Sequence, residues 1–410
     1  MSSWLGIIGI GLIIGLGVLF SRDRKAISWR TVIMGFVLQV GIALLVLKWG
    51  FGRQVLSAVS AFIVHIIGYT NEGSDFLFGW LVDSADSNRY VFAFRVLPIV
   101  IFLSSIFSAL YFVKVMPWIV KQFARLLTRI MGVSGGESLA AAANVFMGQT
   151  EAPIVVAPYI SKMTFSELMA MMTGGMATVS GAVLGGYIAL GINPEYLITA
   201  SVMAAPASLV MAKLLIPETG RSLTAGRVEM EIRDESVNVI DALSRGASQG
   251  MKLALNVAAM LIAFIAVVAL LNGVLGMFCE WTGISGWLGI EITLEKILGW
   301  LFSPLAFLMG VPWAEASQVG HLLGIKLVLN EFIAYVELSG IQETLSPRAE
   351  VIATYALCGF ANISSIGVQI GGIGALAPDR RSDLASLGFR ALLAGFGASM
   401  MTAALAGMLA

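Results

Sequence analysis

Charge is scarce in this sequence. Only 12% of its 410 residues are Asp, Glu, Lys or Arg, against ~25% in an average soluble domain. The 25 basic and 25 acidic residues cancel, so nothing electrostatic points to a nucleic-acid partner. Cysteine is almost absent. Cys279 and Cys358 stand far apart, which argues against a disulfide framework and for two buried thiols. The two histidines, His65 and His321, are also distant from each other, so no zinc-type ligand cluster is visible. No cleavable leader is expected. The apolar stretch 4–20 lacks a basic start and is followed by Arg22, Arg24 and Lys25, as a membrane span with a stop would be. What the chain has instead is apolar surface. It is 58% hydrophobic, with a mean hydropathy of +0.89. Its 45 glycines suit close packing of membrane helices and broken segments. These features describe an all-α, polytopic membrane protein.

About 20 apolar residues cross a bilayer. Eight spans are expected, over 4–20, 31–50, 91–115, 168–190, 196–215, 252–278, 351–376 and 387–409. A polar stretch follows the second, at 71–89, and a solvated loop covers 217–248. Between them, 114–130 reads as a helix lying in the interface. Lys121, Arg125 and Arg129 recur on one face, with Ile119, Phe123, Leu126 and Ile130 on the other. A short glycine-rich stretch covers 283–289, and a second interfacial helix is expected at 294–308. With the loop after the first span placed inside the cell, 18 of the 25 Lys and Arg fall inside and 7 outside. That bias supports eight spans with both termini outside.

Two regions are too polar for plain spans. In 134–163 the sequence Gly148-Gln149-Thr150-Glu151-Ala152-Pro153 sits between apolar flanks; in 319–338 it is Leu329-Asn330-Glu331-Phe332. Each reads as a re-entrant hairpin with a polar tip. Each precedes an interrupted span: Ala177-Thr178-Val179-Ser180-Gly181 in one case, Ala361-Asn362-Ile363-Ser364-Ser365 in the other. Glu151 to Thr178 is 27 residues and Glu331 to Asn362 is 31, so the two copies are similar without strict register. In the expected topology they enter from opposite sides, which makes an inverted repeat of the kind secondary transporters use. The chain then divides into 1–130 and 216–310, mainly scaffold, and the two repeats 131–215 and 311–410.

Broken helices free backbone carbonyls for a cation and amide donors for a solute, which unbroken helices hide. Asn144, Thr178 and the carbonyls freed near them supply the hard oxygens a small cation needs. Glu151 and Glu331 can accept hydrogen bonds from solute hydroxyls or ring N–H groups. Amides and hydroxyls with no cation at the same tip favour a neutral, polyhydroxylated solute over an anion. An isolated Asn or Thr in a membrane helix usually bonds only to a neighbouring helix. Two carboxylates at two hairpin tips are harder to explain as packing. Phe360, two residues before Asn362, is a candidate stacking surface, and both histidines read as structural. A membrane-embedded enzyme would need a nucleophile–base pair or a metal cluster, and neither histidine neighbours a motif serine. A passive channel fits two opposed hairpins less well than alternating access does.

At these same residues the chain resembles the concentrative nucleoside transporters, in their bacterial branch. The resemblance rests on Gly148 to Pro153, Leu329 to Phe332, and Cys358-Gly359-Phe360-Ala361-Asn362-Ile363-Ser364-Ser365-Ile366-Gly367. It runs from about residue 90 to the C-terminus. It implies a homotrimer in the cell inner membrane, importing nucleosides by symport through an elevator-like step. It implies that Gln149, Thr150 and Glu151 face the nucleobase, that Val183 and Phe360 flank it, and that Glu331, Asn362 and Ser365 bind the ribose hydroxyls. It puts sodium on the side chains of Asn144 and Thr178 and on backbone carbonyls of Met147, Thr178 and Val179. No cofactor beyond that coupling ion is implied. Thr178 stands where some relatives have Ser, and keeps the hydroxyl. Some relatives are proton-driven, so a proton-coupled symporter is the alternative; the full Gln-Thr-Glu-Ala-Pro form leans toward sodium.

Overall fold

The computed structural model describes residues 2–81, 92–226, 236–283 and 292–409. The expected polar residues 82–89, the loop cations Arg227 and Arg233, and the glycine-rich 284–289 lie outside that set. The described residues form helices joined by turns and loops, with no strand among them. In chain order the first helices are α1 (Ser2–Leu19), α2 (Trp29–Leu47), α3 (Gly50–Gly68), α4 (Thr70–Phe78), α5 (Phe92–Phe112) and α6 (Val115–Met131). Then come α7 (Gly135–Asn144), α8 (Ala157–Ile160), α9 (Phe165–Ala177), α10 (Gly181–Ala189), α11 (Pro194–Leu215) and α12 (Val239–Thr282). The last are α13 (Leu294–Leu308), α14 (Trp313–Val328), α15 (Glu331–Ile341), α16 (Pro347–Leu357), α17 (Ile363–Leu376) and α18 (Arg381–Leu409).

Among the described residues seven helical stretches are long and apolar enough to cross a membrane, or eight if α13 and α14, bent by 117° at their junction, form one span. They divide by what surrounds them. The apolar window of α9–α10 is 94% buried in protein and that of α11 89%, whereas α12 is 6% buried. Broken and central helices are therefore wrapped by protein, and α12, α2 and α3 turn apolar side chains outward, as lipid-facing helices do. The inner bundle is α9, α11, α16 and α18, with α1 and α2 laid against it; α12 packs along α5 as a separate pair. Glycines make that pair close. A Cβ on Gly246 would lie 2.6 Å from the Ser104 carbonyl oxygen, and one on Gly250 2.7 Å from Ile101 Cα.

Four expectations change. No span is expected over 51–70, yet 50–68 and 70–78 are helical and count together as one apolar stretch. Within it Arg53, Ser57, Ser60 and His65 dilute the apolar run that marks a span. The loop expected to 248 ends earlier, because α12 already starts at Val239, capped by Asn238. The face of α6 is turned: Met116, Val120, Ala124, Leu127 and Met131 are buried, while Leu126 is exposed. Small Ala124 makes the contact stripe that a search for large apolar residues overlooks. Finally, two cations assigned to the membrane sides are buried inside the protein. Lys213 Nζ lies 2.6 Å from Glu137 Oε2, and Lys326 Nζ donates to the Ala356 carbonyl at 2.7 Å.

Candidate functional site

The first hairpin enters through α7, whose N-terminus carries a reciprocal capping pair, Ser134 with Glu137. It stops at Asn144, and the chain is not helical again until 152. Gly148 organises the tip. Its carbonyl accepts the N–H groups of Glu151 and Ala152, both at 3.0 Å, and its own N–H donates to Glu151 Oε2 at 3.2 Å. Pro153, which lacks an N–H, sits in the first turn of the returning arm. The second hairpin is α14 and α15. Asn330 Oδ1 accepts the Ile333 N–H at 2.9 Å and so starts α15. Glu331 is therefore in the first turn of a helix, where the dipole favours a carboxylate. His321 on α14 and Glu337 on α15 clasp the two arms, Nε2 to Oε2 at 2.5 Å.

The two interrupted spans break where expected, between α9 and α10 and between α16 and α17, and their breaks touch. The Phe360 N–H donates to the Thr178 carbonyl at 3.1 Å. Gly359, at φ +144°, has no room for a side chain: a Cβ there would sit 2.8 Å from the Ala177 carbonyl oxygen. The hairpin tips then reach across to the opposite repeat. Gln149 Nε2 donates to Ser365 Oγ at 3.0 Å, and Tyr187 Oη donates to Glu331 Oε1 at 3.0 Å. Asn362 links the rest. Its Oδ1 caps α17 by accepting the Ser365 N–H at 2.9 Å and the Ser364 hydroxyl at 2.8 Å. That fixes the amide so that Nδ2 donates to Glu331 Oε2 at 3.2 Å.

These contacts enclose a cavity of about 260 Å³. All eight residues expected at the substrate line it: Gln149, Thr150, Glu151, Val183, Glu331, Phe360, Asn362 and Ser365. Three features were not expected. Tyr187 holds one oxygen of Glu331. Gln369 holds Gln149 (Nε2 to Oε1, 3.2 Å) while donating to the Met172 carbonyl at 3.0 Å. The fourth wall is α12, through Leu253, Asn256, Val257, Met260 and Leu261. A signal existed for two of them, since Gln369 and Asn256 are amides inside otherwise apolar helices. Nothing local marks Tyr187.

Asn144 and Thr178 both meet α9 at Gly174. Asn144 Nδ2 donates to the Ala140 carbonyl at 2.9 Å, which leaves Oδ1 buried with no hydrogen-bond partner. Thr178 Oγ1 donates to the Gly174 carbonyl at 2.9 Å, and a Cβ on Gly174 would lie 3.1 Å from Asn144 Nδ2. Met147 and Val179 follow in the non-helical segments next to them. A buried carbonyl oxygen without a donor is expensive unless something positive meets it. The donor set is hard oxygen throughout, which fits an alkali cation.

Comparison with known proteins places this architecture. Residues 196–407 match the family described as Na+ dependent nucleoside transporter C-terminus. Residues 8–81 match its N-terminal counterpart, and 93–193 match the family described as Nucleoside recognition. The chain is 45% identical to an uncharacterized transporter of Haemophilus influenzae, over 100% of this chain and 98% of that one. It is 40% identical to the nucleoside permease NupC of Helicobacter pylori, over 99% and 98%. Similarity to the rat sodium/nucleoside cotransporter 2 is also 40%, over 95% of this chain and 60% of the rat protein. Among solved structures, CNTnw in an inward-facing substrate-bound state superposes with a TM-score of 0.93 at 45% identity, covering 100% and 98% of the two chains. A variant of CNTnw in an outward-facing state superposes with a TM-score of 0.93 at 44% identity, with the same coverage.

Proposed function

The chain belongs to the Na+ dependent nucleoside transporter family, and on that premise we propose that it imports nucleosides by symport with sodium across the cell inner membrane. One observation carries the reading. The tips of two hairpins and the ends of two broken helices meet in a single cavity, and the helix that leads into the first tip ends on Asn144, whose oxygen is buried and unpartnered.

The chemistry divides along the cavity. Each oxygen of Glu331 already accepts one hydrogen bond, from Tyr187 or from Asn362. Its remaining lone pairs are acceptors only. Vicinal ribose hydroxyls are donors that match them, with Ser365 completing the sugar side. Gln149, Thr150 and Glu151 present an amide, a hydroxyl and a carboxylate to the base, while Val183 and Phe360 hold its faces. Sodium sits on Asn144, Thr178 and the carbonyls of Met147, Thr178 and Val179. Asn144 ends the helix whose continuation is the base-facing tip, so the occupied ion site sets that tip in position for the solute. Movement is of the elevator type. The repeats 131–215 and 311–410 carry the site, the segments 1–130 and 216–310 are the frame, and three subunits assemble through the outward-turned helices. The coupling is energetically sufficient, since one charge crossing ~100 mV contributes about 2.3 kcal/mol, close to 50-fold accumulation.

Uridine uptake into proteoliposomes under an imposed sodium gradient tests this. Concentrative uptake that collapses when sodium is replaced by potassium is expected. Equal uptake without sodium removes the coupling, and uptake driven by a proton gradient alone installs a proton symporter in its place.

A further inference from the structure

A second chamber, of about 360 Å³, adjoins the substrate cavity and shares three of its lining residues, Glu151, Ser180 and Leu253. The α5–α12 pair supplies Ser104, Phe107, Ser108 and Tyr111 on one side and Gln249 on the other, and the first hairpin adds Phe146. We propose that this chamber is a second nucleoside subsite, in which the solute rests between the substrate cavity and the inner face of the membrane. The inference rests on the nucleoside-transport reading above and adds to it a place on the route.

Three features support it. The first is chemical. The chamber combines aromatic rings, Phe107, Tyr111 and Phe146, with hydroxyl and amide groups, Ser104, Ser108 and Gln249. A nucleoside offers a flat base to such rings and donors and acceptors to such polar groups. The Tyr111 hydroxyl oxygen is buried and has no hydrogen-bond partner, an unfavourable state that a polar solute relieves. The second is geometric. Gly246 and Gly250 bring α12 into close contact with α5, and Ser105 Oγ donates to the Leu243 carbonyl at 2.8 Å, so this wall is closely packed. Glu151 lines both compartments. The third is directional. The far end of the chamber is lined by Ser236 and Arg245, at the start of α12. The cation bias places that segment on the inside.

The chamber therefore receives solute as it leaves the Glu151 side of the substrate cavity. Ser108, Tyr111 and Gln249 do not line the substrate cavity, so their substitution separates the two compartments. Purified Ser108→Trp, which fills the chamber, is expected to bind uridine within about twofold of the wild type while proteoliposome uptake falls about tenfold or more. Tyr111→Phe removes only a hydroxyl and keeps the fold; uptake is expected to slow severalfold with equilibrium binding unchanged. A direct readout comes from Gln249→Cys in a Glu331→Ala background, where the sugar-binding carboxylate is gone. Labelling of that cysteine by a thiol reagent should still slow as uridine is raised into the millimolar range. The proposal is overturned if labelling there is indifferent to uridine, or if Ser108→Trp binds uridine and transports at the wild-type rate. If Ser108→Trp does not fold, the Tyr111→Phe uptake rate and the labelling decide. A wild-type protein that binds no uridine refutes the nucleoside reading itself, whereas intact binding with an unprotected cysteine refutes the chamber alone.

Discussion

Tyr187 touches the site only through another side chain, and that makes it informative. Its hydroxyl donates to Glu331 Oε1 at 3.0 Å, and its ring stacks on Tyr335 with centroids 4.3 Å apart. In Tyr187→Phe the ring stays and the donor goes. One hydrogen bond to a charged group is worth ~1.5–3 kcal/mol, so folding stability should fall by no more than that while the KM for uridine rises about tenfold or more. An unaltered KM would show that the tyrosine does not orient the carboxylate. Residues of this kind are hidden from sequence. Gln149, Glu151 and Glu331 were legible because a polar group in an apolar setting is costly and invites a reason. Tyr187 is an aromatic residue in an apolar helix, indistinguishable there from packing. Gln369 is an amide in an apolar helix, but its partner, Gln149, is 220 residues away, so nothing in the sequence pairs the two.

Helix starts carry polar side chains of the cavity lining, and this couples shape to chemistry at the level of the element. Asn362 is both the cap of α17 and a donor to Glu331. Asn362→Asp separates the roles. The carboxylate still caps the helix, but it has no N–H to give and faces a second carboxylate. Uridine binding should be lost, while helix content and detergent stability stay close to wild type. Retained affinity would mean that the amide donor is irrelevant to the site. Asn362→Ala should lose the cap as well, at ~1 kcal/mol. The hairpins and broken spans could be read from sequence because Gly, Pro and amide residues interrupt apolar runs at those points. The helical stretch 50–78 could not, since its polar residues mask its length, and the buried stripe of α6 was read one face away because Ala124 was given no weight.

At the scale of the whole molecule, the helices α7, α9 and α11 around the first hairpin are pinned at one end by a buried charge. Lys213 of α11 meets Glu137 of α7 at 2.6 Å and Ser166 of α9 at 2.9 Å, all three buried. Lys213→Met leaves Glu137 without its counter-charge, and thermal unfolding in detergent should show a loss of ~3–5 kcal/mol. Adding Glu137→Gln should restore most of it; a single variant as stable as wild type would remove the pin. The sequence had assigned this lysine to a membrane side, because charge counting assumes that cations lie in loops. The cation bias survives because the loop and interfacial cations dominate it. One consequence concerns how such a protein diverges. Asn330, Asn362 and Gly148 each hold a turn or a helix start as well as a place in the cavity lining, so changing them disturbs the fold and the cavity together. The wall given by α12 at Asn256, Val257 and Met260 lies within one uninterrupted helix and caps nothing. Natural selection can rewrite that wall without touching the scaffold's grammar, and it is there that paralogues with new tastes in substrate should first part company.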